Sequence, residues 1–227
     1  MQILWKGHSC FQILASKGKP ARPGQEQVKI VIDPYDEAVG LKLGTLEADI
    51  LLMTHDHHDH NNEKAVKGPP GQGTPFIIGN PGEYEVQGIF IKGISSFHDD
   101  SEGKERGLNT IYVLEAEGIK LCHLGDIGQK ELTAEQLEAI GDVDVLFLPV
   151  GGVYTIAAKE AANIIGQLEP KIAIPMHYAL PGSKVKIGGV EEFLKIMGAK
   201  SVVPQEKLVL KTKDLVEEET KIVVLEP

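Results

Sequence analysis

Seven consecutive residues, Thr54-His55-Asp56-His57-His58-Asp59-His60, carry four histidines and two aspartates. Packing does not explain that density, because each imidazole or carboxylate taken out of water needs a partner. The stretch reads as a metal site. Asp49-Ile50-Leu51-Leu52-Met53, just before it, is a short apolar run typical of a buried strand. If its extended geometry continues, His55 and His57 point to the same side and can share one metal. If the chain then turns into the first turn of a helix, Asp59 and His60 diverge from that pair by enough to reach a second ion. Imidazole nitrogens and a carboxylate suit zinc first, with manganese, iron or nickel also compatible. The competing account is a solvated, histidine-rich loop that picks up metal by accident, which the spacing disfavours.

Length and composition bound the rest. A chain of 227 residues fits one α/β domain over residues 1–227, with 42% hydrophobic and 25% charged residues, ordinary for a globular protein. A net charge of −10 argues against a broad nucleic-acid surface, leaving only local basic pockets. The start, Met1 to His8, has neither a basic leader nor a sustained apolar stretch, and no run approaches the length of a membrane span. Cys10 and Cys122 sit far apart in apolar contexts, as reduced, buried thiols do. A cytoplasmic protein with no membrane partner is expected.

Along the chain, Gln2 to Trp5, Cys10 to Ala15 and Val28 to Asp33 read as strands, with a Gly- and Pro-bearing loop from Ser16 to Gln27. Pro75 to Gly79 returns to strand, and a turn-rich region from Asn80 to Phe97 suits a second sheet. Asp100 to Gly107 is strongly polar and reads as a mobile loop. Asn109 to Glu115 and Ile119 to Leu124 form a hairpin. A helix over Thr133 to Ile140 has Thr133 as N-cap and Gln136 three residues on. Asp144 to Val150, Thr155 to Leu168 and Lys171 to Met176 give strand, helix and strand, a right-handed crossover in an α/β layer. Val190 to Met197 reads as a helix. Leu208 to Lys211 and Lys221 to Leu225 read as terminal strands around acidic Glu217 to Glu219, and their edge could support a homo-oligomer.

The His-x-His-x-Asp-His run after a buried strand resembles the signature of the metallo-β-lactamase superfamily. Gly7-His8-Ser9-Cys10-Phe11 and Pro81-Gly82-Glu83-Tyr84 resemble the subgroup of ascorbate-6-phosphate lactonase and related hydrolases. The resemblance implies a four-layer αββα sandwich with two divalent metals at one edge of its sheets. It further implies His98 as third ligand beside His55 and His57, and His177 as the residue completing a second position with Asp59 and His60. Asp126, after a strand and a glycine, fits a bridge whose two oxygens each serve one metal. Asp33 is either a turn residue before Pro34 or a carboxylate behind the metal loop. His123 is as readily a satisfied buried histidine as an outer partner of the site. Lys184 and Lys186 lie on a glycine-containing loop, solvated or facing an anionic substrate.

Such a site implies hydrolysis of an ester, lactone, thioester, amide or phosphodiester of a small molecule, with Asp59 orienting the water or moving its proton. Asp126 differs from the cysteine or serine arrangement of true β-lactamases, which argues against antibiotic hydrolysis. A phosphodiesterase, or a non-catalytic metal-binding sensor, are the other readings.

Overall fold

The first two strands bury alternate side chains, Ile3 and Trp5 in β1 (Gln2–Trp5) and Phe11, Ile13 and Ala15 in β2 (Phe11–Ser16), so one face of each belongs to the core. In the computed structural model, which describes residues 1–16, 27–215 and 219–227, they form an antiparallel hairpin with Trp5 opposite Phe11. β3 (Gln27–Ile32) extends it. β4 (Leu46–Glu47) and β6 (Val66–Lys67) make a separate parallel ribbon, while β5 (Ile50–Leu52) and β7 (Phe76–Ile78) add in parallel to β3. The loop expected over Ser16 to Gln27 falls mainly on residues outside the described ones.

β8 (Gly82–Val86), β9 (Ile89–Phe97), β10 (Leu108–Ala116) and β11 (Ile119–His123) form an antiparallel meander. β12 (Val145–Pro149) and β13 (Ile172–Met176) continue it in parallel, and every residue of both is buried, as strands covered on both faces must be. β14 (Leu208–Val209) closes the first sheet beside β1, and β15 (Lys221–Ile222) closes the second beside β13. The sheets run β14-β1-β2-β3-β5-β7 and β15-β13-β12-β11-β10-β9-β8. The two terminal strands therefore cap different sheets. Glu217 and Glu218, in the acidic run between them, lie outside the described residues.

The sheets meet face to face. Phe11 from the first lies 4.5 Å from Phe147 of the second, centroid to centroid, and Trp5 lies 5.0 Å from Tyr178. α1 (Ala134–Ile140) opens with the capping box read from sequence, Thr133 accepting from the Gln136 N–H. α2 (Ala158–Leu168) is the crossover helix. It starts three residues later than expected because Gly151 and Ala157 form a β-bridge that closes a turn through Val153 and Tyr154, so the helix begins only after Ala157. α2 packs on α3 (Glu191–Ile196), and both join the main core. The outer face of the first sheet differs from the expected helical layer. Its cluster of Cys10, Val31 and Leu51 is covered by Val39 from a 3-10 turn (Glu37–Val39), Val66 from the β4–β6 ribbon, and Tyr35 and Ala48 from the irregular chain beside them. Both cysteines are buried and free, and burial pushes their thiols up. No described helix is long and apolar enough to cross a membrane.

Candidate metal centre

The metal loop leaves the end of β5, and Asp33 at the end of β3 fixes it. The Asp33 carboxylate accepts the Thr54 backbone N–H at 2.8 Å and the Thr54 hydroxyl at 2.7 Å. A hydroxyl has one proton, so the Thr54 oxygen, 3.0 Å from His55 Nδ1, accepts there. That sets the His55 tautomer and leaves Nε2 with its lone pair, buried and without a hydrogen-bond partner. His60 is set the same way, its Nδ1 2.9 Å from Asp33 Oδ2. The helical turn expected at Asp59–His60 is a single tight turn, closed by the His60 and Asn61 N–H groups on the His57 carbonyl. Asn62 ties its far end to the Pro34 and Tyr35 carbonyls, and a short 3-10 turn, Glu63–Ala65, follows.

Other strand ends bring the remaining candidates together. His98 follows β9, its ring 4.7 Å from that of His55 and 5.0 Å from that of His57. His177 follows β13 in a left-handed conformation, φ +50°, with Nε2 3.1 Å from Asp126 Oδ2. Asp126 Oδ2 also lies 3.2 Å from His60 Nε2 and 3.6 Å from His98 Nε2. Its other oxygen accepts from the Ser9 hydroxyl at 3.2 Å, so one oxygen rather than two faces the histidines. Donor atoms that lie within 4.8 Å of one another form three groups: His55, His57 and His98; His8, Asp59, His60 and His177; and His55, His60 and Asp126.

The electrostatics ask for a cation here. Burial lowers the pKa of His60, but Asp126 and Asp33 outweigh it and hold the ring well above its ordinary value. Burial likewise opposes ionisation of Asp126, yet His177 and His60 hold its carboxyl well below the usual range. Burial, then the His60 charge, pushes His55 down to about 2, so that imidazole is neutral, as a ligand must be. His55 Nε2 and His60 Nε2 are buried without a hydrogen-bond partner, while His98 and His177 turn Nε2 to Asp126 and leave Nδ1 on the other side of the ring. Imidazoles, two inward carboxylates and orphaned nitrogens suit divalent zinc, manganese or iron.

The remaining sequence candidates divide. His123 is tied on both sides: Nε2 donates to the Ser9 carbonyl at 3.0 Å and Nδ1 accepts the Gly125 N–H at 3.1 Å. It braces two segments that bear on Asp126. Lys184 and Lys186 line a cavity of about 580 Å³ with His57, Asp59, His98 and Asp126. Arg106 lines the same cavity and was not legible in the sequence. It is placed by a loop that is tied down rather than loose. The Asp99 carboxylate accepts the N–H groups of Ser101, Gly103, Glu105 and Arg106 at 2.7–2.9 Å. His8 was also missed as a site residue. It is buried, and its Nε2 donates to Asp59 Oδ2 at 3.1 Å. Burial, with the neighbouring His177, drops its pKa to about 4. Only its place beside Gly7 in a turn between apolar strands hinted at it. Burial opposes ionisation of Asp59, but the His8 hydrogen bond and His60 outweigh it and keep that carboxyl below its usual range.

Two facing mixed sheets with this constellation at the ends of their strands define a metallo-β-lactamase-type αβ sandwich, and the profile described as the beta-lactamase superfamily domain matches residues 2–177. A UPF0173 metal-dependent hydrolase of Thermococcus onnurineus is 31% identical, over 96% of this chain and 99% of that one. The chain belongs to the UPF0173 metal-dependent hydrolase family of this superfamily. A crystal structure of a Thermotoga maritima protein assigned to the zinc-dependent hydrolases of the superfamily is similar at 37% identity and TM-score 0.73, covering 99% of this chain and 98% of that one. The metallo hydrolase Igni18 of Ignicoccus hospitalis shares the fold at 23% identity and TM-score 0.63, over 100% and 95% of the two chains.

Proposed function

We propose that this protein hydrolyses an ester, lactone or related bond of a small anionic metabolite, with water activated by two divalent metal ions, zinc in the first place. The observation that carries the reading is Asp126 Oδ2, set between His60, His98 and His177 at 3.1–3.6 Å, where one oxygen can face two ions. His55, His57 and His98 would hold one ion, and Asp59, His60 and His177 the other. Ions bound there supply hydroxide at neutral pH, lowering the pKa of water from about 16 to about 7, and polarise the substrate oxygen.

The chain's own groups do the rest. Asp59 borders the cavity and is steadied by His8, so its carboxylate can orient the attacking water or take its proton. Lys184, Lys186 and Arg106 give the mouth of the cavity a positive lining in a chain of net charge −10, which favours a carboxylate or phosphate on the substrate. A second cavity of about 340 Å³ on the far side of His57 is bordered by Asn80 and Pro81. The turn resembling the lactonase subgroup therefore shapes space beside the metal loop, which supports the lactone reading. The same cations suit a phosphodiester, the second reading. On this reading the reaction runs in the cytoplasm, on a diffusible small molecule and without a membrane or nucleic-acid partner.

Elemental analysis of the purified protein and of His57→Ala, with a panel of lactones, carboxylic esters and phosphodiesters assayed on the same samples, tests this. Two metals per chain, fewer in the variant and turnover that follows the metal support it. A metal-loaded protein inert towards the whole panel overturns it.

A further inference from the structure

The two donor groups at the metal centre are unequal. His57 and His98 border the 580 Å³ cavity, and His55 and His57 the 340 Å³ one, whereas none of His8, His60 and His177 lines either. Those three are at most 2% exposed. Site chemistry follows the same division. With Asp126 shared by both, the three-histidine group has one protein donor fewer than the other, and the position with fewer protein donors is the one that keeps room for an outside ligand. His55, His57 and His98 are three imidazoles beside open space. His8, Asp59, His60 and His177 are four donors within 4.8 Å of one another, and of these only the Asp59 carboxylate borders the cavity.

His8 is held there deliberately. Its backbone is left-handed, φ +53°, and a non-glycine residue in that region persists only where its surroundings fix it. They do. The His8 carbonyl accepts both the Trp5 indole N–H and the His177 backbone N–H, each at 3.0 Å. The turn carrying one inner imidazole is thus bonded to the strand end carrying another, their rings 4.3 Å apart. The result aims Nε2 at Asp59 Oδ2, the same oxygen that faces His60 at 3.8 Å.

We propose that His8 is a protein ligand of the inner metal ion, its Nε2 giving up the proton it shares with Asp59 so that the lone pair can face the ion, and that it would fill that position and leave the outer one, beside His57 and His98, open to substrate. The proposal rests on the two-metal reading above. Asp59 and the shared Asp126 would then be held by an ion at the inner position, and exchange with solvent would belong to the outer one.

Titration of the metal-free full chain with cobalt(II), followed by electronic absorption, tests this in the parent and in His8→Gln. Glutamine reaches the same place and still donates a hydrogen bond to Asp59, but is a poor ligand. Loss of a partner that only orients a ligand lowers metal affinity about 10–100-fold. A true ligand should cost more: His8→Gln weakens one of two cobalt equivalents by more than about 100-fold, leaves the other unchanged, and azide shifts only the outer band in the parent. A smaller loss makes His8 a hydrogen-bond partner of Asp59 and overturns the proposal, as does a parent that takes up a single equivalent. Should the variant not fold, proton NMR of the cobalt-loaded parent decides. Six hyperfine-shifted ring N–H signals support ligation by His8 with His55, His57, His60, His98 and His177, and five refute it. Absence of turnover on every ester would sink the hydrolase reading without altering these counts.

Discussion

Asp33 Oδ2 lies 2.9 Å from His60 Nδ1, and neither side chain has any exposure. A carboxylate behind a ligating histidine orients the ring and raises its basicity. Asp33 also holds Thr54, and through it the His55 tautomer, so one residue governs a histidine in each donor group.

Asp33→Asn tests that control. Asp33 has a left-handed backbone, φ +48°, which asparagine tolerates, so the variant keeps the turn and changes the acceptor. It should lower metal affinity about 10–100-fold, read by competition with a chelator. Unchanged affinity would mean that Asp33 serves the turn alone.

Gly125 has φ +58°, and a Cβ there would stand 2.3 Å from Asn109 Oδ1 and 2.8 Å from Thr54 Cβ. That Asn109 oxygen accepts the Asp126 N–H at 3.0 Å, while its amide donates to the Leu124 carbonyl and to Ser96. Gly125→Ala combines left-handed strain of about 1–2 kcal/mol with a disturbed buried hydrogen bond of about 1–3 kcal/mol. Denaturant unfolding of the metal-free protein should show a loss of about 2–5 kcal/mol. Gly88→Ala, also at positive φ but in open space, is the control and should lose only the strain, about 1–2 kcal/mol. Equal losses would place the effect in backbone strain and not in the Asn109 contact.

The parts of the site that could be read from the sequence share one property: each begins within three residues of the end of an apolar strand. Asp33, the metal loop, His98, Asp126 and His177 all sit at strand ends, where the change from apolar to polar is abrupt. His8 escaped because its neighbours in space, Asp59 and His177, are 51 and 169 positions away, and its turn carries no spacing rule. Arg106 escaped because a polar loop looks loose until the fourfold grip of Asp99 is seen. The strands were legible from their alternation. The outer layer over Val31 and Leu51 was not, since short 3-10 turns leave no periodic pattern.

His123 makes the acid response of the fold specific. Burial lowers its pKa, so the folded state binds less proton than the unfolded chain as pH falls through the ordinary value near 6.5. Stability of the metal-free protein should therefore fall on acidification from neutral pH, by up to about 1.4 kcal/mol per pH unit from this group. Both of its nitrogens are used, Nδ1 as an acceptor, so protonation also breaks the bond from Gly125. His123→Gln should be less stable at pH 7 yet show a flatter decline between pH 6.5 and 5. The slope of unfolding free energy against pH measures it, and an identical slope would assign the acid response to other groups.

Substrate charge is testable through Lys184. Its loop is pinned, with the Lys184 N–H on the Val39 carbonyl at 2.8 Å and Gly40 packed so closely that a Cβ there would meet Lys184 at 2.8 Å. The ammonium is thus delivered to the cavity by backbone contacts that alanine preserves. A hydrogen bond to a charged group contributes about 1.5–3 kcal/mol, less where solvent screens it, so Lys184→Ala should raise KM for an anionic ester about 10-fold with kcat nearly unchanged. A neutral ester of the same leaving group should be unaffected, because binding energy lost equally from ground and transition states appears in KM alone. Lys186→Ala should behave alike, and the double variant should exceed either single one. Arg106, with Glu105 3.7 Å from its guanidinium, has part of its charge already answered and should matter less. If both esters lose equally in the Lys184 variant, the lysines shape the cavity and do not read the charge of its occupant.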